Sequence, residues 1–130
     1  MVIDTSAIVA ILFDEADQRR YGEAIEAATV RLVSAVTRVE LAFVIEGRKR
    51  EAGREGLERF FQLTGAEIVA VTPQQTEIAV GAFRRFGRGR HRASLNIGDC
   101  FAYALAVATG HTLLFKGDDF THTDIRAALP

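Results

Sequence analysis

The feature that most constrains this chain is an alternation: very short apolar runs rich in Val, Ile and Leu are separated by longer stretches with helical spacing. Val2 and Ile3 end at Asp4, Val30 to Ser34 reads as extended, Ile68, Val69 and Val71 form a third run, and Thr112 to Phe115 a fourth. Between them, Ala7, Ile8, Ile11 and Leu12, then Tyr21, Ala24, Ile25 and Ala28, recur at the spacing of a helix face. Thr37 opens another helical run through Leu41, Val44 and Ile45. A further helix around Leu57, Phe60 and Phe61 stops at Gly65, and Pro73 suits the first turn of the next. The last helix carries Phe101, Ala104 and Leu105 and ends at Gly110. Continuous apolar strands joined by helices pair in parallel, so the expectation is an α/β fold with a mostly parallel sheet and right-handed crossovers.

Neither a linker nor a repeat divides the 130 residues, so residues 1–130 are expected to form one domain. Hydrophobic residues make up 48% of the chain, enough burial to exclude disorder. A single cysteine, Cys100, cannot make an internal disulfide, and the opening residues lack the basic and apolar regions of a signal peptide. A cytoplasmic location with no membrane span is therefore expected. The 16 Lys and Arg against 17 Asp and Glu leave a net charge of -1, which excludes a uniformly basic nucleic-acid coat and leaves the distribution of charge open.

That distribution is uneven. Acids fall at strand ends or helix starts: Asp4 after the first strand, Glu40 in Thr-Arg-Val-Glu, Asp99 in Asn-Ile-Gly-Asp, and Asp118 with Asp119 after the last strand. Each has a local explanation as a helix cap, with Thr37–Glu40 and Asn96–Asp99 at capping-box spacing. In an open parallel sheet, however, groups that follow strands share one edge, where ligands bind. Two carboxylates about 5 Å apart repel by roughly 3 kcal/mol at an effective dielectric near 20, whereas a cap contributes about 1 kcal/mol. Capping alone would not hold a converged cluster together; a hard divalent cation such as Mg²⁺ or Mn²⁺ would.

Thr5 and Ser6 adjoin the first acid and serve either as supporting hydroxyls or as helix-start hydrogen-bond groups. Arg84, Arg85, Arg88, Arg90 and Arg92 lie close together with no acid among them, which suits contacts to RNA phosphates, although such a run also describes a solvated loop. His91, His111 and His122 lack zinc-ligand spacing, and Cys100 lies in an apolar helix as a structural thiol. There is no Walker loop and no GxGxxG.

Four segments, MVIDTSAIVAIL, VTRVELAFVIEGR, IGDCFAYALA and LLFKGDDFTHTDI, occur in an order that resembles the PIN-domain family, specifically the VapC-type toxin ribonucleases. The resemblance implies a three-layer α/β/α fold and a Mg²⁺- or Mn²⁺-dependent endoribonuclease, usually homodimeric, inhibited by a small VapB-type antitoxin. By matching motif it makes Asp4, Glu40, Asp99 and Asp118 the catalytic acids. It gives Asp4, Asp99, Asp118 and Asp119 as metal ligands, with Asp118 ranked ahead of Asp119 as the fourth acid. Two other functions compete. An aspartyl-nucleophile phosphatase also starts from an acid after its first strand, but wants a second Asp where Ser6 stands. A non-catalytic RNA- or protein-binding module would have no need of all four acids.

Overall fold

The computed structural model describes residues 1–130. Its elements are β1 (Val2–Ile3), α1 (Thr5–Leu12), α2 (Gln18–Ala27), β2 (Leu32–Ser34), α3 (Ala35–Thr64), β3 (Glu67–Val69), α4 (Pro73–Phe86), α5 (Ile97–Thr109), β4 (Leu113–Leu114) and a 3-10 turn (Asp119–His122). All strand pairs are parallel, in the order β3-β2-β1-β4. Alternation along the strands builds two cores. Val2, Leu32 and Leu113 pack with α4 and α5 on one face, while Ile3, Val33 and Leu114 pack with α1, α2 and α3 on the other. This is the expected three-layer α/β/α sandwich, and no helix is long and apolar enough to cross a membrane.

The strand order fixes the site. The chain moves outward through β1, β2 and β3, then returns across the sheet to place β4 on the other side of β1. A reversal of this kind opens a crevice at the carboxyl ends of the strands. The outer edge of β4 is covered by the C-terminal segment: Leu113 N–H donates to Arg126 O at 2.9 Å and Ala128 N–H to Leu113 O at 2.8 Å.

The start of α3 differs from the local capping pattern. Thr37 does not begin its helix. Ser34 is the N-cap, its Oγ accepting from Val36 N–H at 3.2 Å, so α3 starts directly at the end of β2 and Thr37 is buried inside it. The runs around Leu41 and Leu57 are two helical arms, as expected, that meet end to end within α3 at a kink where Arg50 is non-helical (φ 51°, ψ −133°). That backbone geometry suits glycine and strains a side-chain-bearing residue. Arg50→Gly is accordingly expected to stabilise the fold by about 1 kcal/mol, read as a higher urea midpoint with an unchanged slope.

Candidate active site

Four elements deliver acids to the crevice. Asp4 follows β1 and is the N-cap of α1. Its Oδ2 accepts from Ser6 N–H at 2.9 Å and Ser6 Oγ–H at 2.6 Å, and Ser6 Oγ in turn accepts from Lys116 N–H at 2.9 Å. That relay ties the segment after β4 to the end of β1. The Lys116 ammonium reinforces it through an ion pair to Glu15. Neither Lys116 contact has a local sequence signal, because each joins positions some hundred residues apart.

Asp4 is only 3% exposed, and its Oδ1 is buried with no hydrogen-bond partner. An orphaned buried acceptor costs about 1–3 kcal/mol, so this oxygen points to a ligand. Burial pushes the Asp4 pKa up, the Ser6 hydrogen bonds pull it back, and the charge of Glu40 raises it further.

Asp99 enters at the start of α5. Helix α5 precedes the parallel strand β4 and must run against it, so its N-terminus lies at the carboxyl edge. The Asn96–Asp99 capping box is formed: Asn96 N–H donates to Asp99 Oδ2 and Asp99 N–H to Asn96 Oδ1, both at 2.9 Å. Burial is the main cause that lifts the Asp99 pKa to about 7; the Asn96 N–H opposes it, and the charges of Asp4, Glu40 and Asp119 add to it. Asp4, Glu40 and Asp119 are thus the acids whose charges act on Asp99.

Glu40 comes from the second turn of α3, and its Oε1 accepts the hydroxyl proton of Thr5. The two hydroxyls thus divide: Ser6 serves Asp4 and Thr5 serves Glu40. Asp118 and Asp119 are both exposed but differ in their surroundings. Asp119 opens the 3-10 turn and acts on Asp99, whereas Asp118 lines a cavity of about 440 Å³ with Arg20, Tyr21 and Leu129, formed against the C-terminal segment.

No three His, Cys, Asp or Glu side chains stand together so as to hold one ion. The donor set nevertheless fits Mg²⁺ or Mn²⁺. These hard ions favour carboxylate oxygen, and Mg²⁺ keeps several waters and takes one or two carboxylates rather than an all-protein cage. The unpartnered Asp4 Oδ1 is such a donor.

The arginines separate into two groups. Arg85 is committed elsewhere: its guanidinium pairs with Asp124 at 2.8 Å, and Asp124 also accepts from Tyr103 Oη at 2.7 Å. Arg88 lines a groove of about 550 Å³ with Asn96, Ile97 and Phe101, beside the cap that holds Asp99. Arg90 lies 4.9 Å over the Phe83 ring, while Arg84 and Arg92 are exposed. The loop between them is built, since His91 Nδ1 accepts from Ala93 N–H at 3.1 Å. Cys100 is buried, with its thiol pushed up to about 11 by burial, and is not a nucleophile.

A parallel α/β/α sandwich with acids gathered at its switch point defines the class, and the comparisons agree. The PIN domain family matches residues 1–126. Ribonuclease VapC30 of Mycobacterium tuberculosis is 50% identical over 131 residues, covering 100% of both chains. Among solved structures, Mycobacterium tuberculosis VapC20, a Sarcin-Ricin loop cleaving toxin, superposes with a TM-score of 0.77 at 15% identity, covering 95% of each chain. VapBC2 from Rickettsia felis, bound to a DNA fragment from its promoter, gives 0.73 at 15% identity, covering 97% of this chain and 94% of that one. The chain belongs to the PIN domain family and, within it, to the VapC ribonucleases.

Proposed function

We propose that this protein is a Mg²⁺- or Mn²⁺-dependent endoribonuclease, the toxin of a toxin–antitoxin pair, with Asp4, Glu40, Asp99 and Asp119 as its site. The observation that carries the metal requirement is the buried, unpartnered Asp4 Oδ1, in a carboxylate that feels the charge of Glu40 and acts in turn on Asp99. Asp4 and Asp99 would hold the ion, with water completing its shell and the charge of Asp119 reaching it through that water. Once bound, a divalent cation neutralises phosphate charge and makes water a nucleophile near neutral pH. Glu40 orients the attacking water through Oε2, the oxygen that Thr5 leaves free. Arg88, with Arg84, Arg90 and Arg92 behind it, draws the polyanion towards an acidic crevice that would otherwise repel it.

The proposed partners are RNA, a VapB-type antitoxin and a second copy of the chain, in the cytoplasm. Support for a homodimer comes from Val39, Phe43 and Ile97, which are 54%, 78% and 75% exposed and flank a groove beside Glu40. Replacing Arg88, Arg90 and Arg92 together with Ala is expected to raise KM for RNA several-fold with kcat little changed, and to flatten the dependence of KM on salt. The proposed activity is tested by incubating the purified protein with total cellular RNA, with and without Mg²⁺ or Mn²⁺, and sequencing the new ends. Discrete internal cuts that need the cation are expected. Hydrolysis of a small phosphate monoester without RNA cleavage would refute it.

A further inference from the structure

Gly98 stands at the second position of α5, between the exposed Ile97 and Asp99. A glycine in a helix disfavours the helix relative to alanine, and Gly98 does not have a positive φ that would require it. Its neighbour supplies the reason. A Cβ built on Gly98 would stand 2.7 Å from both the carboxyl carbon and Oε1 of Glu40, and closer still to Oε2. The Glu40 carboxylate therefore lies directly on the first turn of α5, in the space a side chain would fill. Thr5 grips the same carboxylate from the start of α1 through its hydrogen bond to Oε1.

We infer that Gly98 is a positioning residue for Glu40: with Thr5 it forms a two-sided clamp that sets where the carboxylate stands relative to Asp4 and Asp99. The inference rests on the role proposed above for Glu40. Three elements meet in the clamp, with Glu40 from α3, Thr5 from α1 and Gly98 from α5. A methyl group at position 98 meets the end of a flexible side chain rather than backbone, so Glu40 yields and the fold does not. A displacement of about 1 Å is enough to cost up to roughly a hundredfold in rate.

The experiment is a double-mutant cycle on the full chain. Gly98→Ala is expected to lower kcat for RNA cleavage at least tenfold. Gly81→Ala, in α4 with open space around it, is the control and leaves kcat unchanged. In a Glu40→Ala background, Gly98→Ala is expected to change the residual rate less than twofold and to raise Tm through helix propensity. In the parent it is expected to gain less Tm or lose some, because the methyl group must displace the carboxylate. Glu40→Asp, one methylene shorter, should partly restore the Gly98→Ala protein, so that the double variant cuts faster than the product of the two single effects. Equal effects of Gly98→Ala with and without the Glu40 carboxylate, in both rate and Tm, would overturn the inference. Full activity of Glu40→Gln would instead remove the role assigned to Glu40 itself.

Discussion

Asp99→Asn is expected to reduce RNA cleavage by three orders of magnitude or more while leaving the protein at least as stable as the parent. Activity and stability part because Asp99 is placed against its own interest. Its Oδ2 accepts the Asn96 N–H, a bond the amide oxygen of Asn can replace. Its charge, however, is half-buried and feels the charges of Asp4, Glu40 and Asp119. Its pKa, lifted to about 7, lies well above the ordinary carboxylate value of about 4, so between these values the folded protein holds a proton that the unfolded chain has already lost. Stability from this group is full below about pH 4 and falls as pH rises towards 7. The loss is about 1–2 kcal/mol once partial solvent screening is allowed for. The neutral Asn removes that slope, so thermal melts from pH 4 to 7 in EDTA should be flatter for Asp99→Asn. An active, folded Asp99→Asn protein would remove Asp99 from the site.

Asp119→Asn is expected to lower cleavage roughly a hundredfold, and Asp118→Asn less than threefold. The two residues are adjacent and chemically identical, so their difference lies wholly in direction. Gly117, at φ 95°, turns the chain after β4, and the 3-10 turn that follows starts at Asp119, whose charge acts on Asp99. Asp118 instead accepts the Thr121 N–H at 3.0 Å through its carbonyl and joins the wall of the C-terminal cavity. Steady-state rates for the two single variants on one RNA decide the matter; equal losses would put both acids in the site.

These two aspartates show where the sequence stops being readable. Burial pattern exposed the sheet, because strands covered on both faces must be apolar at every position, as Val2–Ile3 and Leu113–Leu114 are. Helix ends were legible where capping is local: Gly65 and Gly110 are left-handed C-caps at φ 61° and 72°, and Asn96 with Asp99 closes its box. The start of α3 was not, because β2 runs into it without a loop and Ser34 takes the capping role that the Thr37–Glu40 spacing imitates. Contacts between distant segments were invisible for the same reason. Arg85 looked like one of five equivalent arginines until Asp124, 39 residues away, claimed it. Gly98 carried a signal, a glycine in the first turn of an otherwise apolar helix, but only the approach of Glu40 explains it.

The proposed activity requires that these acids hold a divalent cation. Calorimetric titration of Mn²⁺ into the metal-free protein and into Asp4→Asn, with RNA cleavage followed in the same samples, measures this directly. Saturable binding with cleavage that rises in step with occupancy is expected for the parent, and loss of both for Asp4→Asn. Undiminished cleavage in EDTA, or equal Mn²⁺ binding by the two proteins, would contradict it.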